Sequence, residues 1–95
     1  MMSKKIRTPE VEEFFKAILT LKDVEECYTF FGDVCTMNEI LLFAQRYEVA
    51  KLLGQKYTYQ EIAEKSGAST ATISRVKRSI DDGNGGYDLV FKRIK

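Results

Sequence analysis

The sequence predicts an all-α protein whose second half is a helix-turn-helix. Helix-capping residues at Thr8, Asp23, Thr36, Thr58 and Ser69 each open a stretch with apolar residues at helical spacing. Gly67 separates the last two of these stretches as a tight turn. No period-2 alternation is long enough for a strand. With 44% apolar and 31% charged residues, one Pro and six Gly, the 95-residue chain has the composition of an ordered domain. A single domain this short buries a modest share of its surface, so self-association is expected to add burial.

Thr8-Pro9 reads as an N-cap followed by a proline at the first helical position, with Glu10, Glu12 and Glu13 complementing the helix dipole. Val11, Phe14, Phe15, Ile18 and Leu19 form its apolar stripe. Asp23 to Glu26 resembles a capping box and leads Val24, Cys27, Tyr28, Phe31 and Val34 along one face, with Phe30 beside them and Gly32 weakening the last turn. Thr36-Met37-Asn38-Glu39 is a cleaner box. It opens a long helix with apolar residues on more than one face, from Ile40 through Leu53, which Gly54 is expected to end from the left-handed position. Such a helix runs through the centre of a core or of a dimer.

Thr58-Tyr59-Gln60-Glu61 starts a short helix that stops at Ser66-Gly67, and Ser69 caps another from Thr70 to about Ile80. The run from Asp81 to Gly86 is loop punctuation. Tyr87, Val90, Phe91 and Ile94 have helical spacing, but residues 87–95 also suit a strand or a frayed end. The expected organisation is thus core and dimerisation helices over 9–54, a helix-turn-helix head over 58–80, and a loop and tail over 81–95.

With no histidine, Ser-His-Asp and Cys-His catalysis and His-ligated zinc are excluded, and nothing in the chain pairs a nucleophile with a base, so no enzyme is expected. Cys27 and Cys35 cannot make a four-thiolate metal site and read as buried free thiols. The acids of the first turns read as dipole complements and not as metal ligands. The aromatics Phe14, Phe15, Tyr28, Phe30, Phe31 and Phe43 are interleaved with acids, which suits a core or dimer interface better than a platform for single-stranded nucleic acid. Met1-Met2-Ser3-Lys4-Lys5 is basic, but no apolar signal region follows, and the longest apolar run, 40–44, is far too short to span a membrane. A cytoplasmic protein is expected.

Net charge is +1, from 15 basic and 14 acidic residues, and it conceals an asymmetry. Residues 10–40 hold eight acids against Lys16 and Lys22. Residues 51–80 hold six bases against Glu61 and Glu64. The basic stretch is the helix-turn-helix. Ala63 is small where the two helices must cross, and Gly67 can take a positive φ. Ile62, Ile73, Val76 and Ile80 point inward on a helical wheel, while Ala71, Ser74, Arg75 and Arg78 face outward, with Thr70 at the exposed N-terminus. A short, polar, cationic face is what reading the major groove requires. Thr70, Ala71, Ser74 and Arg75 are the candidate base-reading residues. Lys56, Lys65, Ser69, Lys77 and Arg78 are the candidate phosphate contacts. The same helix pair would also serve to dock an acidic protein partner.

The stretch from Gln60 to Arg75, and above all Gly67-Ala68-x-x-Ala71-Thr72-Ile73-x-Arg75, resembles the DNA-reading head of the Trp repressor superfamily, with weaker similarity back through Arg46 and Thr36. Ser74-Arg75-Val76-Lys77-Arg78 and the later Gly85-Gly86-Tyr87 look closer to its YerC/YecD branch than to the tryptophan-sensing repressor. The resemblance implies an intertwined helical homodimer, binding double-stranded DNA and regulating transcription, most simply as a repressor. In the tryptophan-sensing relative the ligand ring lies between two arginines. Arg46 and Arg75 match them, and Thr36, Thr72 and Ser79 match further pocket positions, which makes a ligand-gated sensor the alternative reading. That relative has glycine directly after its recognition-helix arginine, where this chain has Val76. A β-branched side chain there fills part of the space an indole needs, so tryptophan is not expected as a cofactor. Arg46 and Arg75 then read as phosphate contacts or as ion-pair members, for instance with Glu48 or Glu39.

Overall fold

The computed structural model describes residues 4–94. Met1, Met2 and Ser3 of the basic start, and Lys95 at the end of the expected closing segment, lie outside the described residues. Among the described residues a 3-10 turn at Lys4–Ile6 is followed by six α-helices: α1 (Pro9–Ile18), α2 (Val24–Val34), α3 (Met37–Gly54), α4 (Tyr59–Ser66), α5 (Thr70–Asp82) and α6 (Gly86–Arg93). No strand occurs among the described residues. Of the alternatives open for the C-terminal segment, the helix forms.

The starts follow the caps. Thr8 Oγ1 accepts from the Val11 amide at 3.2 Å, and Asp23 Oδ1 from Glu26 at 2.9 Å. Glu26 reaches back to the Lys22 amide, one residue before the cap, so the box closes earlier than its spacing suggests. At α3 and α4 both halves of the box form: Glu39 exchanges bonds with Thr36, and Glu61 with Thr58.

The end of α3 differs from expectation. Gly54 is still helical, and the left-handed residue is Lys56, at φ 69°. The Lys56 amide donates to Leu53 O at 3.1 Å and the Tyr57 amide to Leu52 O at 3.4 Å, the paired bonds of a Schellman motif. The accompanying apolar contact sets the register. Tyr57 packs on the core beside Leu52 and Leu53, which a stop at Gly54 would not allow.

The chain divides inside α3, between Ile40 and Leu41, into two compact units. In the unit Leu41–Lys95, Val49, Ala50 and Leu52 of α3, Ile62 of α4, Ala68 of the turn, and Ile73 and Val76 of α5 form one buried cluster. Leu53, Ala63, Ile80, Tyr87 and Phe91 pack around it. The second half of α3 thus packs with the head that the sequence sets apart at residue 58. In the N-terminal unit Phe14 meets Phe30 at 6.0 Å between ring centroids, and Phe30 meets Phe31 edge-on at 5.5 Å. Neither α1 nor α2 has a buried residue. Cys27 is exposed and Cys35 half-buried, so the expected burial of both thiols does not hold on this chain: the face of α2 that carries Cys27 also leaves Val24 and Tyr28 exposed.

Candidate nucleic-acid interface

The turn between α4 and α5 is built by three small residues. Gly67 sits at φ 73°, in the left-handed region that its missing Cβ permits, and its amide donates to Ala63 O at 2.9 Å. Ser66 Oγ donates to Ile62 O at 2.6 Å and accepts from the Ala68 amide at 3.1 Å, which lets Ala68 turn inward to 5% exposure. Gln45 Nε2 of α3 donates to Ser66 O at 3.3 Å. Sequence reasoning missed Gln45, Ser66 and Ala68 as positioning residues. Local spacing reveals a cap or a stripe, but not a bond spanning 21 residues.

Ser69 then caps α5, accepting from the Thr72 amide at 3.1 Å and donating to Thr72 Oγ1 at 3.1 Å. Ile62 and Ile73 at 0% exposure and Val76 at 1% pin the inner side of the pair. On the outer side Thr70, Ala71, Arg75 and Arg78 are exposed and Ser74 is half-buried. The structure therefore brings the four candidate base-reading residues to the N-terminal half of one helix, with Ala71 and Arg75 on the side away from the core. Neither Arg75 nor Arg78 has an ion pair among the described residues.

The candidate phosphate contacts divide. Lys56 is exposed at the left-handed end of α3, and Lys65 lies with Nζ 4.8 Å from the Tyr57 ring centroid, a cation–π contact. Lys77 lies elsewhere. Its Nζ donates to Asp81 Oδ2 at 2.6 Å, and it lines a groove of about 180 Å³ with Leu53, Ile80, Tyr87 and Phe91. The hydrogen bond to Asp81 holds the Lys77 ammonium above the usual lysine range. Glu39 and Glu61 are held below the usual carboxylate value by the backbone amides of Thr36 and Thr58 that donate to them.

The residues matched to a ligand pocket divide between the two units. Thr36 belongs to the N-terminal unit, where its hydroxyl accepts from Glu39. Arg46 is half-buried and has no ion pair among the described residues. Glu48 bonds Lys51 at 3.2 Å and the Glu39 carboxylate takes the Thr36 amide, so both expected partners are engaged. Ser79 borders a cavity that Arg46, Thr72 and Arg75 do not line. Val76 is turned into the core. No helix among the described residues is long and apolar enough to cross a membrane.

Comparison with known proteins agrees with this geometry. The chain is 52% identical over 95 residues to YerC, an uncharacterized protein of Bacillus subtilis (strain 168), covering all of this chain and 91% of that one. It matches the crystal structure of a TrpR-like protein from Eubacterium eligens ATCC 27750 with a TM-score of 0.94 and 62% identity, over 96% of this chain and 94% of that one. A candidate Trp repressor from Staphylococcus aureus matches with a TM-score of 0.94 and 54% identity, over 98% and 93% of the two chains. The family model for the Trp repressor protein matches residues 9–95. The chain therefore belongs to the Trp repressor family, a family of DNA-binding regulators.

Proposed function

We propose that the protein is a homodimeric, sequence-specific regulator of transcription, most simply a repressor, that lays α5 in the major groove of double-stranded DNA. The observation that carries this reading is the division of α5 into a side closed by Ile73 and Val76 and a side that leaves Ala71, Arg75 and Arg78 exposed. Thr70, Ala71, Ser74 and Arg75 approach base edges. The small residues let the helix come close, and the Arg75 guanidinium offers two donors to a guanine. Ser69, Lys56, Lys65 and Arg78 meet phosphates, with Lys77 contributing only where its bond to Asp81 opens.

A second copy supplies what the N-terminal half lacks. Leu19 at 82% exposure, Met37 at 77%, and Val24 and Tyr28 at 69% are bare on a single chain, as are Leu41 and Phe43 of α3. So many bare apolar side chains, beside helices α1 and α2 that have no buried residue, mark an interaction surface. Two heads in one dimer would then meet successive major grooves, roughly 34–36 Å apart. Tryptophan is not the corepressor in this reading, because Val76 follows Arg75 where the tryptophan-sensing relative has glycine.

The test is duplex affinity as a function of salt, with oligomeric state from sedimentation. A dimer with a steep salt dependence and a preference lost in Arg75→Ala supports the proposal. A monomer that binds an acidic protein and ignores duplex DNA would overturn it.

A further inference from the structure

We infer that the cavity at the C-terminal end of α5 is a binding site for a neutral, planar small molecule with a hydrogen-bonding edge. The cavity measures about 430 Å³, within the range of small-molecule sites. Tyr47 of α3, Ser79 of α5, Asn84 of the loop, and Tyr87 and Val90 of α6 border it. Phe91 holds both tyrosine rings, with centroids 5.3 Å from Tyr47 and 6.2 Å from Tyr87. The walls are therefore fixed aromatic surfaces, suited to a flat ring.

The polar groups define the rest of the ligand. The side chains of Tyr47, Ser79, Asn84 and Tyr87 make no hydrogen bond to any described residue, whereas the hydroxyls of Ser66, Ser69 and Thr72 are all engaged. Four side chains with unengaged donor and acceptor groups thus border one space. No Asp, Glu, Lys or Arg lines it. A charged ligand would give up water for a wall without a counter-ion, so the occupant is neutral.

The two glycines of the wall differ. A Cβ on Gly83 would run into the Ser79 carbonyl, so the chain path at the end of α5 explains that glycine. Gly86 begins α6 without a positive φ, and a Cβ there would meet nothing within 4 Å. Backbone geometry therefore does not require a glycine at 86, and a larger side chain there would have open space beside the cavity to extend into.

The test is a titration of the full-length protein, without DNA, followed by amide chemical shifts, with benzamide and its charged isostere benzoate as probes. Because no DNA is present, its failure is separate from any failure of the DNA-reading proposal. Saturable benzamide shifts confined to residues 47, 79 and 83–90, with benzoate at least about tenfold weaker, are expected. Gly86→Leu should abolish those shifts. Tyr87→Phe, which keeps the ring on Phe91, should weaken binding severalfold with an unchanged melting temperature. Absent or scattered shifts into the millimolar range, equal binding of benzoate, or full binding by both variants would overturn the assignment. A cavity filled by a second copy of the chain would give the first of these results.

Discussion

Lys77 and Asp81 are joined across one turn of α5, Nζ to Oδ2 at 2.6 Å, while Arg75 and Arg78 on the same helix have no ion pair among the described residues. At about 100° per residue, Lys77 falls on the edge nearest Ile73 and Ile80, and the two arginines fall on the far side. One basic run thus holds two kinds of cation: one bound to its own helix, two presented outward.

Salt dependence should separate them. Arg78→Ala is expected to reduce the slope of log affinity against log salt by about one unit on every sequence. Arg75→Ala should cost about 1–3 kcal/mol on a preferred duplex and far less on random DNA. Lys77→Ala should change the slope less than Arg78→Ala does. Equal slope changes for Lys77 and Arg78 in a fluorescence-anisotropy series would show that the Lys77–Asp81 bond opens on DNA.

Lys56 offers a test in which stability and binding move in opposite directions. A non-glycine residue in the left-handed region costs roughly 1–2 kcal/mol, partly offset by the extra chain entropy a glycine loses on folding, roughly 0.5–1 kcal/mol. Lys56→Gly should therefore stabilise the fold by about 0.5–1 kcal/mol in urea denaturation and, if Lys56 meets a phosphate, weaken duplex binding. Greater stability with unchanged affinity removes Lys56 from the interface.

The two halves of the chain should respond differently to loss of an apolar side chain. Ile73→Ala removes a fully buried group and should destabilise by about 2–5 kcal/mol at any protein concentration. Leu19→Asp removes a side chain that is bare on the single chain, so its cost should appear as dissociation of the dimer, read by sedimentation. Unaltered assembly of Leu19→Asp would place the dimer contact elsewhere.

Acid should act through the capping boxes. Glu39 and Glu61 have folded-state pKa values below the ordinary 4.5, so each contributes stability that is complete above 4.5 and lost as pH falls through the depressed value. Glu39→Gln with Glu61→Gln, which keeps an acceptor for the Thr36 and Thr58 amides, should flatten the stability profile on that acid limb. Lys77, raised by Asp81, has the opposite sign: its contribution is complete below the ordinary 10.5 and fades as pH rises through the folded value, leaving the neutral range flat. A parallel acid limb in the double variant would contradict this account, as measured by thermal unfolding between pH 2 and about 6.

Much of the fold was legible because it is local. Thr36, Thr58 and Ser69 sit three residues from the amides they cap, and Ile62, Ile73 and Val76 carry the core of the head in their spacing alone. What the sequence hid depends on distant contacts. With Tyr57 packed on the core, the left-handed residue that follows α3 is Lys56 and not Gly54. The bond from Gln45 to Ser66 ties the turn to a helix 21 residues earlier. The candidate site was legible where α5 is amphipathic, at Thr70, Ala71 and Arg75. It was not legible at Lys77, because a count of charges does not show which cation already has a partner, nor at Cys27, because an apolar stripe does not say whether one chain or two will cover it.

The most direct test of the central claim is selection from a random duplex pool by the full-length protein near physiological salt, without added ligand, followed by sequencing of the bound fraction. The account predicts an enriched two-fold palindrome whose half-sites lie about one helical turn apart and whose guanine preference disappears in Arg75→Ala. A featureless bound pool, or a palindrome unaltered by Arg75→Ala, would contradict it.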